Sequence, residues 1–332
     1  MSNPEPIRWG ILGPGMIAGR LLAGARRSSS AEVVAVGSRA PERAAQFAER
    51  YAIPTAHGSY EDLVADPRVE AVYIALPNGL HHPWTIRALA AGKHVLCEKP
   101  YSSDPADVEA AFDAADAAGL VLSEGFMWRH HPQVALLRSI LPELGEIQAI
   151  RATFSFVLDE PANIRNRPDL DGGSLMDVGC YCISGARLVA GEEPELAFGV
   201  ARTGPSGVDE RFTGVLRFPG GIVAEFTCGF TADHRGLEVI GAAGSVRLTD
   251  PWASNPATLV RGGVETVIDE ADPYQLELED IGRAIREKQP PLLGRGDALG
   301  QARAIAALRE SARTGRAVAA PDTARVPVGG RG

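Results

Sequence analysis

Ile7-Arg8-Trp9-Gly10-Ile11-Leu12 runs straight into Gly13-Pro14-Gly15-Met16-Ile17-Ala18, and the reading of this stretch decides the fold. The first six residues have the apolar content of a buried strand. Ile17, Leu21 and Leu22 then mark one face of a helix running towards Arg26-Arg27. Between strand and helix stands the pattern G-x-G-x-x-A, the setting in which it cradles a dinucleotide. Gly13 permits the tight turn, Gly15 lets the backbone approach a pyrophosphate, and Ala18 lets the helix pack close to its strand. Unpaired N–H groups and the dipole at the helix N-terminus favour the phosphates.

The second strand, residues 32–37, should end beside the adenosine ribose. A site for NAD usually places Asp or Glu there. This chain has Ser38-Arg39, with Arg43 one turn into a helix begun by Pro41. A hydroxyl and two guanidinium groups suit a 2′-phosphate, so NADP is the expected cofactor and NAD the alternative. Strand and helix signals then alternate. Ser59 caps a helix with Asp62 three residues on. Residues 71–76 form an apolar strand with Pro77-Asn78 in a loop at its carboxyl end. A helix over 81–91, a strand over 95–97, a helix over 104–118 and a strand over 120–123 follow. The alternation means a parallel sheet with right-handed crossovers, an α/β doubly wound Rossmann domain over residues 1–124.

At the end of one of these strands stands Glu98-Lys99-Pro100. Pro100 cannot continue a central strand and disfavours helical angles at Lys99, so the lysine sits on an extended turn. Open α/β sheets bind ligands at that carboxyl edge. Lys93, Lys99 and Lys288 are the three lysines among 33 basic residues, so arginine supplies charge nearly everywhere else. Arginine stays protonated, whereas a lysine can enter proton chemistry.

A net charge of −9 argues against a nucleic-acid or anionic-membrane partner. No apolar run approaches the roughly 18 residues of a membrane span. The start, Met1-Ser2-Asn3-Pro4-Glu5-Pro6, lacks a basic region followed by an apolar core, so no export signal is read there and the cytoplasm is the expected location. Cys97, Cys180, Cys182 and Cys228 read as buried thiols. The pairs His81-His82 and His130-His131 read as surface or loop histidines without metal-site spacing, so no metal is expected.

After residue 145 the pattern changes to alternating β-rich segments over 147–157, 196–202, 212–218, 222–230, 237–240 and 245–248, joined by Gly- and Pro-rich turns. An antiparallel sheet with one covered face follows, in an α+β domain over 125–332 whose other face would join copies into a dimer or tetramer. Within it, Asp171-Gly172-Gly173-Ser174-Leu175-Met176-Asp177-Val178-Gly179-Cys180-Tyr181 stands out. Ser174 is expected to cap a helix to about residue 189, with Asp177 and Tyr181 on one face. Gly179 inside that helix implies close approach of a cofactor ring or another backbone.

Taken together, Gly13 to Ala18, Gly92-Lys93-His94-Val95 leading to Glu98-Lys99-Pro100, and Gly172 to Gly179 resemble the Gfo/Idh/MocA oxidoreductases over residues 7 to about 318. The resemblance implies a Rossmann domain, a C-terminal open-faced sheet domain, and Lys99 and Asp177 as catalytic and substrate-hydroxyl residues. Tyr181, where the inositol-dehydrogenase branch has histidine, is similar to the branch of NADP-dependent D-xylose 1-dehydrogenase, dihydrodiol dehydrogenase and glucose–fructose oxidoreductase. Asn163-Ile164-Arg165 and Pro273-Tyr274-Gln275 also resemble that branch. The implied reaction moves a hydride between nicotinamide and a hydroxyl or carbonyl carbon of a sugar, polyol or vicinal diol. Tyr181 would be its acid/base. A phenol with pKa near 10 is a poor base at neutral pH, and the Lys99 ammonium would favour the phenolate. The expected cofactor set is Gly13, Gly15, Met16, Ile17, Ser38, Arg39, Arg43, Leu76, Pro77, Asn78, His81, Glu98, Lys99, Trp128 and Arg129. Phe156, Asn163, Trp252 and Tyr274 are the expected substrate walls. The rivals are a non-catalytic NADP-binding sensor and an imine reductase.

Overall fold

The computed structural model describes residues 5–253 and 257–320, so part of the N-terminal stretch read for an export signal, residues 1–4, lies outside the described residues. The chain forms two compact units. One takes the chain up to Ser102, Ala106–His130 and Asp272–Ala298; the other takes Ser103–Pro105, His131–Ala271 and the chain from Leu299.

The first unit holds strands β1 (Ile7–Leu12), β2 (Ala31–Gly37), β3 (Thr55–His57), β4 (Ala71–Ile74), β5 (His94–Glu98) and β6 (Leu122–Gly125). Their order is β3-β2-β1-β4-β5-β6 and every pairing is parallel, the doubly wound sheet expected from the alternation. Strand order reverses between β1 and β4, so the chain ends beyond Leu12 and Ile74 flank the crevice where such sheets bind ligands.

Helices α1 (Met16–Ala25), α2 (Pro41–Tyr51), α3 (Tyr60–Ala65), α4 (His81–Ala90) and α5 (Pro105–Ala118) make the crossovers. Local chemistry sets their ends: Pro41 and Glu42 open α2, and Ser59 Oγ accepts from the Asp62 N–H at 3.0 Å to cap α3. The segment 272–298 belongs to this unit because its helix packs on α1. Tyr274, Leu278 and Ile281 lie buried at helical spacing, and Gly24 lets the two backbones meet: a Cβ there would lie 2.6 Å from the Gln275 nitrogen.

The second unit carries α6 (Pro132–Ile140), β7 (Ile147–Ser155), α7 (Cys180–Ala190), β8 (Leu196–Thr203), β9 (Asp209–Arg217), β10 (Val223–Gly229), β11 (His234–Gly241), β12 (Gly244–Leu248), β13 (Thr258–Arg261) and β14 (Val264–Val267). The returning helix of the first unit is α8 (Pro273–Glu287); α9 (Arg295–Thr314) and β15 (Val318–Ala319) close the described chain. The nine-stranded order is β14-β13-β12-β11-β7-β10-β9-β8-β15. Every pairing is antiparallel except β7 with β10, so the sheet is mixed. α7 packs against β7, β10 and β11 and is buried throughout its middle. α9 covers β8 and β9: Ser311 Oγ accepts from the Gly199 N–H at 3.0 Å, and Gly214 leaves space for Phe226 and Leu308. The opposite face exposes Phe198, Val200, Val215 and Val223. No helix among the described residues is long and apolar enough to cross a membrane.

Candidate functional site

The cradle after β1 has the geometry its glycines predict. Gly13 adopts φ +97°, and a Cβ there would meet the Ala75 carbonyl oxygen at 2.8 Å and Leu76 at 2.9 Å. Glycine is therefore required where the β1 and β4 ends converge. Gly15 differs: an added Cβ would meet nothing within 4 Å. It forms the N-cap of α1 with no side chain on the free N–H groups, and Met16 beside it is 81% exposed. Open space above unpartnered N–H groups fits an anionic ligand.

The Gly13 N–H donates to Gly37 O at 3.1 Å, which brings the end of β2 alongside. Buried Ser38 accepts from the Ala40 N–H at 3.2 Å, and this turns the chain into α2 while leaving the hydroxyl hydrogen to donate elsewhere. Arg39 and Arg43 are exposed on the same turn. A serine, two arginines and the start of α2 make a cationic end to β2.

Around Lys99 the polar backbone is held closely. The Lys99 N–H donates to Glu98 Oε2 at 3.2 Å, His81 Nδ1 lies 2.8 Å from Pro100 O, and the Tyr101 N–H donates to Glu124 Oε1 at 2.8 Å. The Lys99–Pro100 peptide is cis. Glu98 Oε1 accepts a short hydrogen bond from the Tyr73 hydroxyl. Burial, then the Glu98 charge, pushes the Tyr73 phenol well above its usual value. Glu277 on α8 is buried too, and burial raises its carboxyl well above the carboxylate range with Glu98 adding to the effect.

The other lysines are used differently. Lys93 Nζ donates to Asp66 O and Val69 O at 2.8 and 2.7 Å, closing the turn into β4, and Lys288 ends α8 in a left-handed conformation.

Of the histidines expected on the surface or in loops, His81 and His131 are buried. His81 is wholly buried, with Nε2 2.8 Å from Leu76 O as well as Nδ1 on Pro100 O, and His131 is buried at the start of α6. Adjacent histidines point apart, but the strand ends and loops they join lie inside. Among the described residues no three His, Cys, Asp or Glu side chains gather as metal ligands would. Trp128 and Arg129 are buried in a short turn, with Arg129 Nη1 3.2 Å from Asp297 Oδ1.

In the second unit the chain enters α7 through a π-helical turn, Leu175–Gly179, in which the Cys180 N–H reaches back to Leu175 O. Ser174 does not cap it. Its hydroxyl donates to Asp209 Oδ2 at 2.7 Å, and the same oxygen accepts from the Leu175 N–H at 2.7 Å, so a β9 carboxylate caps the turn. Gly173 has φ +112°, and a Cβ there would run into Asp209. Gly179 is explained by packing against β10: a Cβ would lie 2.8 Å from Cys228 Sγ. Gln301 Nε2 donates to Cys180 O at 2.8 Å and satisfies the carbonyl at the far end of the turn.

Asp177 pairs with Arg165 Nε at 2.6 Å, and the Arg165 N–H donates to Asn163 Oδ1 at 3.1 Å. The Arg165 guanidinium also lies 5.6 Å from the centre of the Phe156 ring. Tyr181 is 8% exposed, its ring edge-on to Phe154 at 5.2 Å and 5.9 Å from Trp252. Trp252 stacks on Phe154 at 6.1 Å and donates Nε1–H to Thr153 O at 2.8 Å. Asp177, Asn163 and Phe156 thus share Arg165, and Tyr181 and Trp252 share Phe154. The fourth expected wall, Tyr274, is buried on α8 in the first unit. Arg165, Phe154 and Asp209, which make these contacts, are not among the expected pocket residues. Phe154, near the end of β7, alternates with Phe156 just beyond it, a signal that points to it; nothing in the sequence links Asp209 to Ser174.

Residues 7–126 match a family model described as an oxidoreductase family with an NAD-binding Rossmann fold, and residues 141–247 match the GFO/IDH/MocA C-terminal domain. The chain is 38% identical to a D-xylose 1-dehydrogenase (NADP(+)) of Haloferax volcanii, over 93% of this chain and 98% of that one. It is 36% identical to the trans-1,2-dihydrobenzene-1,2-diol dehydrogenase of Sus scrofa over 77% of this chain and 78% of that one. Among solved structures, KijD10, a 3-ketoreductase from Actinomadura kijaniata in complex with NADP and TDP-benzene, superposes with a TM-score of 0.86 at 31% identity, covering 92% of this chain and 98% of that one. The aldose-aldose oxidoreductase of Caulobacter crescentus gives 0.86 at 29%, covering 95% and 99%. With both domains matched and relatives followed almost from end to end, the chain belongs to the Gfo/Idh/MocA family of oxidoreductases.

Proposed function

We propose that this oxidoreductase uses NADP to move a hydride to or from a hydroxyl-bearing carbon of a sugar, polyol or vicinal diol. The observation that carries the reading is the nearly full-length likeness to an NADP-dependent D-xylose dehydrogenase. The open cradle at Gly15 and the Ser38-Arg39 end of β2 support it from this chain's own residues. Gly13, Gly15, Met16 and Ile17 would hold the pyrophosphate on the α1 N–H groups, and Ser38, Arg39 and Arg43 the 2′-phosphate. Leu76, Pro77 and Asn78 would border the cofactor from the β4 end, with Trp128 and Arg129 behind β6.

The bound nicotinamide supplies or takes up the hydride. Tyr181 exchanges the hydroxyl proton, accepting it in oxidation and donating it in reduction. The Lys99 ammonium favours the phenolate and stabilises negative charge developing on the substrate oxygen. Asp177, paired with Arg165, orients a neighbouring hydroxyl, which is why a vicinal diol fits better than a simple alcohol. The open face of the second sheet, with Phe198, Val200, Val215 and Val223, joins copies of the chain. The activity belongs to the cytoplasm, in keeping with four free, buried thiols.

The test is absorbance of the reduced nicotinamide with NADP and a panel of aldoses, polyols and vicinal diols. Reduction of NADP by a subset of the panel is expected. Tight NADP binding with no turnover across the panel would instead favour a non-catalytic sensor.

A further inference from the structure

We propose that His81 is a buried imidazolium that ties the carboxyl ends of β4 and β5 together, a positioning residue for the Lys99 turn. Both ring nitrogens face backbone carbonyl oxygens, Nδ1 that of Pro100 and Nε2 that of Leu76, each at 2.8 Å. A carbonyl oxygen only accepts. A neutral imidazole has one N–H, so in either tautomer one nitrogen would point a lone pair at an oxygen lone pair, inside the protein and at hydrogen-bond distance. Protonation at both nitrogens satisfies both contacts.

The charges at the turn point the same way. Glu98 and Glu124 bring two carboxyl groups to the backbone N–H groups on either side of Pro100, and Lys99 brings one ammonium. A second cation balances the pair, and buried charge is tolerated when it is balanced and hydrogen-bonded. The other ionisable groups facing this turn include Tyr73, whose hydroxyl donates to Glu98, and Glu277 on α8, whose carboxyl pKa is raised by burial and then by Glu98. They also include Tyr101, which hydrogen-bonds at 3.0 Å to His82 on the same helix as His81, with Asp107 3.6 Å from His82 Nε2. Burial raises the Tyr101 phenol, so it adds no negative charge. The positive end of α4 opposes a cation at its first residue. That effect is screened and partial, whereas the two carbonyl contacts are direct. Free imidazole ionises near pH ~6.5, so a modest preference keeps the ring charged at neutral pH.

The role follows from what the ring joins. Leu76 opens the Leu76-Pro77-Asn78 loop and Pro100 follows Lys99, so one cation fixes two loops at adjacent strand ends. The protonation state stands by itself; the positioning role rests on the proposed part of Lys99 in catalysis.

The test is a two-bond proton–nitrogen correlation spectrum of the intact protein labelled with nitrogen-15 histidine, with the His81 signals identified by their loss in His81→Gln. Should that variant not fold, replacing the other six histidines in turn assigns His81 by elimination. Both His81 nitrogens should resonate as protonated from about pH 6 to about pH 8. A split, neutral pattern for His81 at neutral pH overturns the proposal. In the folded variant, turnover should fall about tenfold or more, a larger change than that in NADP affinity. Unchanged turnover would reject the positioning role. If no substrate is turned over by the parent protein, the functional reading fails and the spectrum still decides the protonation.

Discussion

Single residues divide here by what surrounds them. Gly13 and Gly15 belong to one pattern but serve different ends. The fold needs Gly13, where a Cβ would strike the β4 end, whereas it leaves the space above Gly15 empty. Gly15→Ala should therefore keep its melting temperature within about 2 °C of the parent while weakening NADP binding about tenfold or more. Calorimetry and cofactor titration check the two halves, and unchanged affinity would remove the pyrophosphate from this loop.

Glu277 is a residue the sequence offered no reason to notice. Its carboxyl is buried on α8 and its folded pKa is raised, first by burial and then by Glu98. A raised value means that the native state keeps the proton when the unfolded chain has lost it. The stability is complete below the unfolded value near 4.5 and is lost as pH rises through the folded value. Glu277→Gln cannot ionise, so its melting temperature should exceed the parent's by about 2–4 °C at about pH 8, with the difference vanishing towards about pH 4. A difference independent of pH would show that ionisation is not the cause.

Elements explain why some of this was legible and some not. The Rossmann half could be read because each strand, cap and turn announces itself locally: G-x-G-x-x-A between β1 and α1, Pro41 opening α2, Ser59 capping α3. The entry to α7 could not. Its cap is Asp209, which follows Ser174 by 35 residues and meets it only through the fold of β9. The π-helical register is likewise a tertiary outcome, held by Asp209 at one end and Gln301 at the other. The packing of α8 is equally non-local, because its partner α1 lies some 250 residues back in the chain. Gly179 was rightly singled out as a close approach, but the neighbour is Cys228 on β10. Gly179→Ala should cost about 1–3 kcal/mol of stability through overpacking, and Cys228→Ala in the same chain should recover part of it. Denaturant titration of the four variants measures the coupling; simple additivity would place the strain elsewhere.

At the scale of the whole molecule, each unit contributes residues to the proposed chemistry. The first offers a dinucleotide cradle and a lysine on a closely held turn; the second offers Asp177 on a π-helical turn and Tyr181 among aromatic rings. The open sheet face adds a row of exposed Phe198, Val200, Val215 and Val223 beside the pairs Arg151–Glu225 and Arg151–Glu238. A surface with both signs of charge around an apolar strip can meet its own copy. Sedimentation should show an oligomer at micromolar concentration that Val215→Arg dissociates, and a monomeric parent protein would refute the contact.

The proposed reaction couples proton exchange at Tyr181 to hydride transfer with NADP. Its most direct test is the pre-steady-state reduction of NADP by a turned-over sugar or diol in Tyr181→Phe beside the parent protein. The hydride step should slow by about a hundredfold or more with NADP affinity unchanged. Hydride transfer at the parent rate in Tyr181→Phe would contradict it.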